Sequence, residues 1–236
     1  MKILLSHFGS PYECLIATSV IKRLHEDFDK PEVYCLANNL ESQLVFQYNK
    51  KTKEVFLNTL PDGIVFDRQI NLHPNYTPER CKENYGFNTN KNVSGIYEVL
   101  YGTKGTNKSL FQLYFRLAGM TWRGEGFDFN YFPKSKNRRD YTGVAVADDN
   151  LRGIVVNSLK LNQSKLCNAL IKNSVYRQFD EINRYNNIIT DDLLILNIAL
   201  SLRKKVFFLK TKPINYRIEL FGSGHIFEVS NENRTT

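Results

Sequence analysis

The first third of the chain alternates between short apolar runs and helical patterns, and this rhythm restricts the folds it can adopt. The predicted strands are residues 2–6, 32–36, 55–57 and 63–67, and the predicted helices are residues 14–27 and 42–48. Strands that alternate with helices in this way form βαβ units. The sequence therefore predicts an α/β fold with a parallel sheet and helices on its faces.

The rhythm returns in the second half, after a polar and charged stretch at residues 132–140 that we interpret as a linker. The predicted strands there are residues 143–147, 154–157, 187–190 and 206–209, and the predicted helices are residues 164–178 and 193–202. We therefore divide the chain into an N-terminal lobe, residues 1–135, and a smaller C-terminal lobe, residues 136–236.

The chain is basic, with a formal net charge of +8. Such a charge suggests a polyanionic partner, such as nucleic acid or an anionic glycan, although an ordinary basic enzyme explains it equally well. The basic residues 134–139 include Arg138 and Arg139, which are candidates to follow a phosphate backbone.

Other classes of protein are disfavoured. The four cysteines are far apart and form no CxxC pair, which argues against a zinc site and a disulfide framework. No apolar run approaches the roughly 20 residues that span a bilayer. The first residues turn polar too soon for a signal peptide, so we expect a cytoplasmic protein without a membrane span.

The most informative segment, residues 7–18, joins the first strand to the first helix. In open α/β sheets, ligands bind beyond the carboxyl ends of the strands, where this loop is expected to lie. The segment contains neither the P-loop motif GxxxxGK[ST] nor the dinucleotide-binding motif GxGxxG, so neither common phosphate-binding loop is indicated.

Glu13, the acidic residue of this segment, has two possible roles. As the third residue of the helix it completes a capping box with Ser10, and Pro11 suits the first helical position. Alternatively, Glu13 is a general base that takes a proton from an acceptor hydroxyl. The spacing favours the capping box and leaves catalysis open.

Three segments resemble the ADP-heptose:lipopolysaccharide heptosyltransferases. Residues 1–24 match the family's first strand, its loop ending in Gly-Asp and its helix of the type LLATPxIxxL. Glu13 falls on the family's proposed catalytic aspartate, and Tyr12 replaces its glycine. Residues 63–69, which include Asp67, resemble the family's strand of the type DxVIDLQ.

The third segment, residues 190–206, resembles the donor-site motif D[ST]GxxHxAxALGKPV. Asp192 falls on the aspartate and Asn197 on the histidine, whereas Leu193 and Leu194 replace the Ser/Thr-Gly pair. In the family a lysine that contacts the donor phosphate lies near the positions of Lys160 and Lys165.

The resemblance implies a GT-B-like fold, in which two Rossmann-like lobes with parallel sheets flank a cleft. It also implies inverting, metal-independent transfer, with a nucleotide sugar as co-substrate and no further cofactor. Glu13 would be the catalytic base, and the C-terminal lobe would bind the donor through Lys160, Lys165, Asp192 and Asn197. Candidate acceptor-binding residues are Ser10, Tyr12, Asp67, Arg138 and Arg139.

The acceptor remains open on the sequence. The positive charge and the composition rich in Lys, Asn and Tyr narrowly favour a hydroxymethylated base in double-stranded phage DNA, which would place the enzyme in the host cytoplasm. The lipopolysaccharide core or another surface glycan is the alternative that the resemblance implies. A non-catalytic relative that binds nucleic acid is the third hypothesis, because Asn197 and Tyr12 replace the family's histidine and glycine.

Overall fold

The chain divides into two compact units. A computed structural model describes residues 1–72, 105–131, 141–146, 148–160, 166–168 and 175–229. The first unit comprises Met1–Tyr131 and Asn215–Glu219, and the second comprises Phe132–Ile214 and Leu220–Thr236. The segment Asn215–Glu219, which returns to the first unit, is called the strap below.

In the first unit, the described strands form one parallel sheet in the order β3-β2-β1-β4. Its strands are β1 (Lys2–Ser6), β2 (Glu32–Ala37), β3 (Thr52–Leu57) and β4 (Arg68–Asn71). Its helices are α1 (Pro11–Asp27), α2 (Leu40–Gln47) and α3 (Leu110–Leu117). The central strand β1 buries Ile3, Leu4 and Leu5 completely, as expected of a parallel strand that is covered on both faces.

In the second unit, the described strands also form a parallel sheet, in the order β6-β5-β7-β8-β9. Its strands are β5 (Thr142–Ala145), β6 (Leu166–Asn168), β7 (Asn187–Thr190), β8 (Lys205–Lys210) and β9 (Gly224–Glu228). Its helices are α4 (Asp149–Ser158), α5 (Val175–Asn183) and α6 (Leu193–Ser201). None of the described helices, in either unit, has the length and apolar character needed to cross a bilayer.

The α/β alternation is confirmed, but three predicted elements are wrong. Residues 154–157 belong to α4, because Asp148 accepts the N–H groups of Asn150 and Leu151 and so begins a helix ahead of this β-branched run. Residues 164–178 are not one helix, since β6 pairs with β5 before α5 begins. The predicted strand at residues 63–67 ends just where β4 begins, at Arg68.

A buried ion pair fastens the segment after α3 to α1. Arg23 Nη1 lies 2.6 Å from Glu125 Oε1, with 7% of each side chain exposed. Burial opposes the charged form of Glu125, but the backbone N–H of Arg123 and the guanidinium of Arg23 outweigh it, so its pKa is lowered. Arg23 also binds Asp27, whose side chain is 36% exposed.

We predict that Glu125→Gln lowers the melting temperature by about 5 °C, because Arg23 then loses the buried one of its two carboxylate partners and keeps only Asp27. The matched change Asp27→Asn should lower it by about 1 °C, since an exposed ion pair contributes little. The pKa of Glu125 is lower in the folded chain than in the unfolded chain. Its contribution to the free energy of unfolding is therefore complete above the pKa of the unfolded chain and is lost as the pH falls through the pKa of the folded chain. Thermal melts of both variants at several pH values test this. Equal losses would contradict it.

Candidate active site

The loop between β1 and α1 lies at a switch point of the first sheet. The chain runs from β1 through β2 to β3 on one side of β1 and then crosses to β4 on the other side, so the strand order reverses at β1. Residues 7–10 follow β1 at its carboxyl end, and Leu72 follows β4, where its N–H donates to the carbonyl of Ser6. Ligands of open α/β sheets bind in the crevice at such a point.

The structure confirms the capping box at the start of α1. The backbone N–H of Ser10 donates to Glu13 Oε2 at 2.7 Å, and the Ser10 hydroxyl donates to the same oxygen at 2.6 Å. The Glu13 residue is 2% exposed. These bonds hold the Glu13 carboxylate in one orientation at the carboxyl edge of the sheet, and its role as a base stays a prediction.

Gly9 is essential to this geometry, and the motif comparison did not single it out. A Cβ atom at position 9 would lie 2.5 Å from Glu13 Oε2 and 2.5 Å from His7 Cε1. No side chain fits between a carboxylate and an imidazole ring at these distances. The Gly9 carbonyl accepts the hydroxyl of Ser42 at 3.1 Å, which ties the loop to α2.

His7, on the other side of Gly9, is completely buried and acts as a structural residue. Its Nδ1 accepts the Gly9 N–H at 3.0 Å, so in the neutral ring Nε2 carries the proton and donates to Tyr114 Oη at 3.0 Å. Burial lowers the pKa of His7 to about 3. The neutral ring therefore links β1 to α3 and has no tendency to accept a proton at neutral pH.

Tyr12 influences a residue that could not be expected from the sequence. The side chain of Tyr12 and the charge of Glu13 both affect the pKa of Tyr216, a residue of the strap. Burial raises the pKa of Tyr216 to about 12, the Tyr12 side chain opposes this rise, and the Glu13 charge adds to it. Of the predicted residues in this loop, hydrogen bonds bring Ser10 and Glu13 together, and Tyr12 lies between them in the first turn of α1.

Asp67 is not part of this cluster. Its carboxylate accepts the N–H of Lys2 at 2.7 Å, which places it at the amino end of β1, about 15 Å away by the length of a five-residue strand. The acceptor role predicted for Asp67 requires it to lie at the carboxyl end of a strand. Asp67 instead directly precedes β4 and lies at the amino edge of the sheet, so we do not retain this role. Arg138 and Arg139 lie outside the described residues.

The second unit has a pocket of about 360 Å³ beyond the carboxyl ends of β7 and β8. This volume is within the range of small-molecule sites. Its acidic and basic members are Asp191, Asp192 and Lys212, and the remainder of the lining is Leu193, Phe208, Leu209, Thr211, Pro213 and Ile214. The lining is therefore mostly apolar and carries three charged side chains.

Of the two donor residues matched to the family motif, Asp192 lines this pocket and Asn197 does not. Asp192 Oδ1 accepts the N–H groups of Leu194 at 2.7 Å and Ile195 at 3.0 Å, so the residue is the N-cap of α6. The Asn197 side-chain amide donates to the Leu193 carbonyl at 2.7 Å within the same helix. The aspartate and the asparagine therefore both have structural roles.

Asp191 and Lys212 are pocket residues that the motif comparison missed. Burial raises the pKa of Asp191, the negative charges of Asp192 and Asp148 add to the rise, and Lys212 opposes it. Only their position in the sequence could have indicated these two residues. Asp191 follows β7 and Lys212 follows β8, at the edge of the sheet where ligands bind.

Lys160 lies away from this edge, contrary to the prediction. It follows the C-terminus of α4 in a left-handed conformation, with φ of 48°, and its side chain is exposed. A crossover helix ends at the amino edge of a parallel sheet, so the wrong assignment of residues 154–157 as a strand misplaced this lysine. Lys165 lies outside the described residues.

No metal site accompanies these groups in the part of the chain that the structure describes: nowhere in it do three or more His, Cys, Asp or Glu residues converge in a way that would hold a metal ion.

Comparison with known proteins identifies the fold. The sequence matches no protein-family model and no curated protein. A glycosyl transferase of family 9 from Veillonella parvula DSM 2008 superimposes with a TM-score of 0.67 at 13% identity, over 97% of this chain and 86% of that one. The ADP-heptose LPS heptosyltransferase II of E. coli gives a TM-score of 0.63 at 10% identity, over 98% and 91% of the two chains.

A third structure, the E. coli heptosyltransferase WaaC with ADP-2-deoxy-2-fluoro heptose, gives a TM-score of 0.60 at 9% identity, over 96% of this chain and 93% of that one. None of these three names refers to DNA. At such low identities the likeness concerns the fold, and it confirms the predicted class: the chain has the GT-B-like α/β fold of family 9 glycosyl transferases and heptosyltransferases.

Proposed function

We propose that this protein is a glycosyltransferase that moves a sugar from a nucleotide-sugar donor to a hydroxyl group, with Glu13 as the catalytic base. The observation that carries the proposal is the position of Glu13. Its carboxylate is fixed by two hydrogen bonds at the switch point of the first sheet, in a fold shared with glycosyltransferases.

The reaction assigned to this carboxylate is an inverting displacement without a metal ion. Glu13 accepts the proton of the acceptor hydroxyl while the acceptor oxygen bonds to the anomeric carbon of the sugar. The bond from that carbon to the diphosphate breaks, and the nucleoside diphosphate leaves with the electron pair. A carboxylate held by Ser10 needs no reorientation at the moment of proton transfer.

The pocket of the second unit is the proposed site for the sugar that the donor transfers. Two carboxylates against one lysine disfavour the diphosphate there, and the Leu194 and Ile195 N–H groups that would otherwise attract an anion at the start of α6 are taken by Asp192. Carboxylate oxygens accept sugar hydroxyls well, and an apolar lining suits the carbon face of a sugar ring.

For the acceptor we propose a surface glycan, which the name of the similar ADP-heptose LPS heptosyltransferase II supports. Double-stranded DNA with hydroxymethylated bases is the second candidate. It is supported by the net charge of +8, and it requires the target base to be flipped out of the duplex.

We predict that Glu13→Gln lowers kcat at least about 100-fold, because the amide keeps the shape of the side chain but accepts no proton. The matched control is Glu41→Gln, which makes the same change at an exposed residue in the first turn of α2. Nucleotide release and thermal melting are measured for both variants. A Glu13→Gln variant that loses stability but keeps kcat would leave Glu13 with its capping role alone.

Asp191→Asn should weaken binding of the nucleotide sugar roughly threefold to tenfold and leave the matching nucleoside diphosphate almost unaffected. Titration calorimetry with ADP-heptose and ADP, and with UDP-glucose and UDP, separates the two ligands. Because burial raises the pKa of Asp191, the affinity for the nucleotide sugar should fall as the pH drops from neutral through that pKa. Tighter diphosphate binding by Asp191→Asn would place the phosphates in this pocket instead.

The acceptor is tested by nucleotide release from a panel of nucleotide sugars with three additions: a lipopolysaccharide core, hydroxymethylated duplex DNA and unmodified duplex DNA. We expect release to be stimulated by the glycan. Stimulation by the hydroxymethylated duplex alone would establish the second candidate. Binding to duplex DNA that falls steeply with salt, without any release, would support a non-catalytic nucleic-acid binder.

A further inference from the structure

The carboxyl edge of the first sheet carries two asparagines close to the loop that holds Glu13. Asn38 is the first residue after β2, and Asn58 is the first residue after β3. The last residues of these strands, Ala37 and Leu57, are paired, and the N–H of Asn58 donates to the Ala37 carbonyl at 2.8 Å. The two asparagines are therefore neighbours at the edge where ligands of α/β sheets bind.

The side chain of Asn38 is oriented by Asn39. Asn39 Nδ2 donates to Asn38 Oδ1 at 3.0 Å and to the Gly9 carbonyl at 3.5 Å. Asn39 Oδ1 accepts the N–H of Ser42 at 2.8 Å, so every polar atom of the Asn39 side chain is engaged. Asn38 is only half-buried, and its Nδ2 group donates to none of the described residues. Its two N–H donors are therefore available to a ligand.

Gly9 places these amides beside the proposed base. Its carbonyl accepts the Asn39 amide and the Ser42 hydroxyl. A Cβ on the same residue would lie 2.5 Å from Glu13 Oε2. The Glu13 carboxylate and the Asn39 amide thus approach the two sides of a single residue.

Asn58 adds a second, more accessible amide. Its side chain is exposed, and its backbone is left-handed, with φ of 64°. Asparagine enters this conformation more readily than most residues with a side chain. The edge next to the base therefore presents the side chains of two neighbouring asparagines.

The segments that directly follow the four strands also lack positive charge. Among the described residues they are 7–10, 38–39, 58–60 and 72, and they contain no lysine or arginine. A phosphate or carboxylate bound on these segments would find no cation in them to pair with. An amide, by contrast, both donates and accepts hydrogen bonds without charge, which suits hydroxyl groups.

We propose that Asn38 and Asn58 bind hydroxyl groups of the acceptor, and that the acceptor unit next to Glu13 is an uncharged sugar. Asn39 is the positioning residue that holds the Asn38 amide. The inference rests on the proposed function and names the chemical class of its acceptor. Neither asparagine is assigned a part in the proton transfer, so their contribution is to acceptor affinity.

The first experiment measures nucleotide release against acceptor concentration for Asn38→Ala, Asn58→Ala and the wild type, with a lipopolysaccharide core as the acceptor. We expect each variant to raise KM for the acceptor about fivefold to tenfold, because a hydrogen bond made equally in the ground and transition states is lost. The kcat and the KM for the donor should stay within about twofold of the wild type.

The matched control is Asn130→Ala, which makes the same change at a half-buried asparagine of the same unit. Asn130 donates its backbone N–H to the carbonyl of Tyr48, at the C-terminus of α2, and this bond survives the substitution. We expect the control to keep the wild-type KM for the acceptor. Asn39 is left unchanged, because it caps α2 and its loss would also lower stability.

The second experiment compares the intact lipopolysaccharide core with the same core after removal of its phosphate groups. If the sugar next to Glu13 is uncharged, the wild-type kcat/KM for the two cores should agree within about threefold. A dependence on the phosphates, with a loss of about tenfold or more in the dephosphorylated core, would overturn the inference.

Further results would overturn it while leaving a glycosyltransferase in place. These are an unchanged acceptor KM in both asparagine variants, an equal rise in Asn130→Ala, or a fall in kcat alone. Release stimulated only by the hydroxymethylated duplex would also overturn it. A wild type that releases no nucleotide with any donor and acceptor would overturn the proposed function, and this inference with it.

Discussion

The lack of a side chain at Gly9 is the constraint on which the candidate site depends. The His7 ring and the Glu13 carboxylate approach this residue so closely that a Cβ would lie 2.5 Å from each. Its N–H binds His7 and its carbonyl binds Ser42 of α2. Because both backbone groups are satisfied in a buried place, the loop has one well-defined conformation. The placement of Glu13 is a consequence of that conformation.

Capping and catalysis are compatible roles for Glu13. The two Ser10 hydrogen bonds stabilise α1 and, at the same time, remove the rotamer freedom of a long carboxylate side chain. A base with a fixed direction loses little entropy when the acceptor arrives. The heptosyltransferase motif has an aspartate here, one methylene shorter, and the longer glutamate reaches back to the N-cap. Tyr114 supports the same loop through His7, whose ring accepts the N–H of Gly9.

The sequence predicted the α/β class, the first strand and the capping box, because each depends on residues that are close together in the chain. Ile3–Leu5, the middle of the first strand, is completely buried and appears as a continuous apolar run. The Ser10–Glu13 contact spans three positions and follows from helix geometry. Local patterns of this kind can be interpreted without knowledge of the fold.

The features that were missed depend on distant residues or on the direction of an element. Tyr216 is more than two hundred positions from Tyr12, and nothing in its neighbourhood indicates that the strap returns to the first unit. The run at residues 154–157 is β-branched and favours a strand by propensity, but the cap at Asp148 and the crossover between β5 and β6 require a helix. That single error also moved Lys160 to the wrong edge of the sheet.

The start of α6 shows why matching a motif does not reveal what a site binds. At α6 the Asp192 carboxylate takes the N–H groups of Leu194 and Ile195, so the positive end of the helix is neutralised by the protein itself. Leu193 in the pocket lining supplies no hydroxyl where the motif has Ser or Thr. A diphosphate would gain little there and would face Asp191 as well. The proposed sugar would fit the same lining better, because carboxylates accept hydrogen bonds from hydroxyl groups and apolar side chains can pack against the carbon face of a sugar ring.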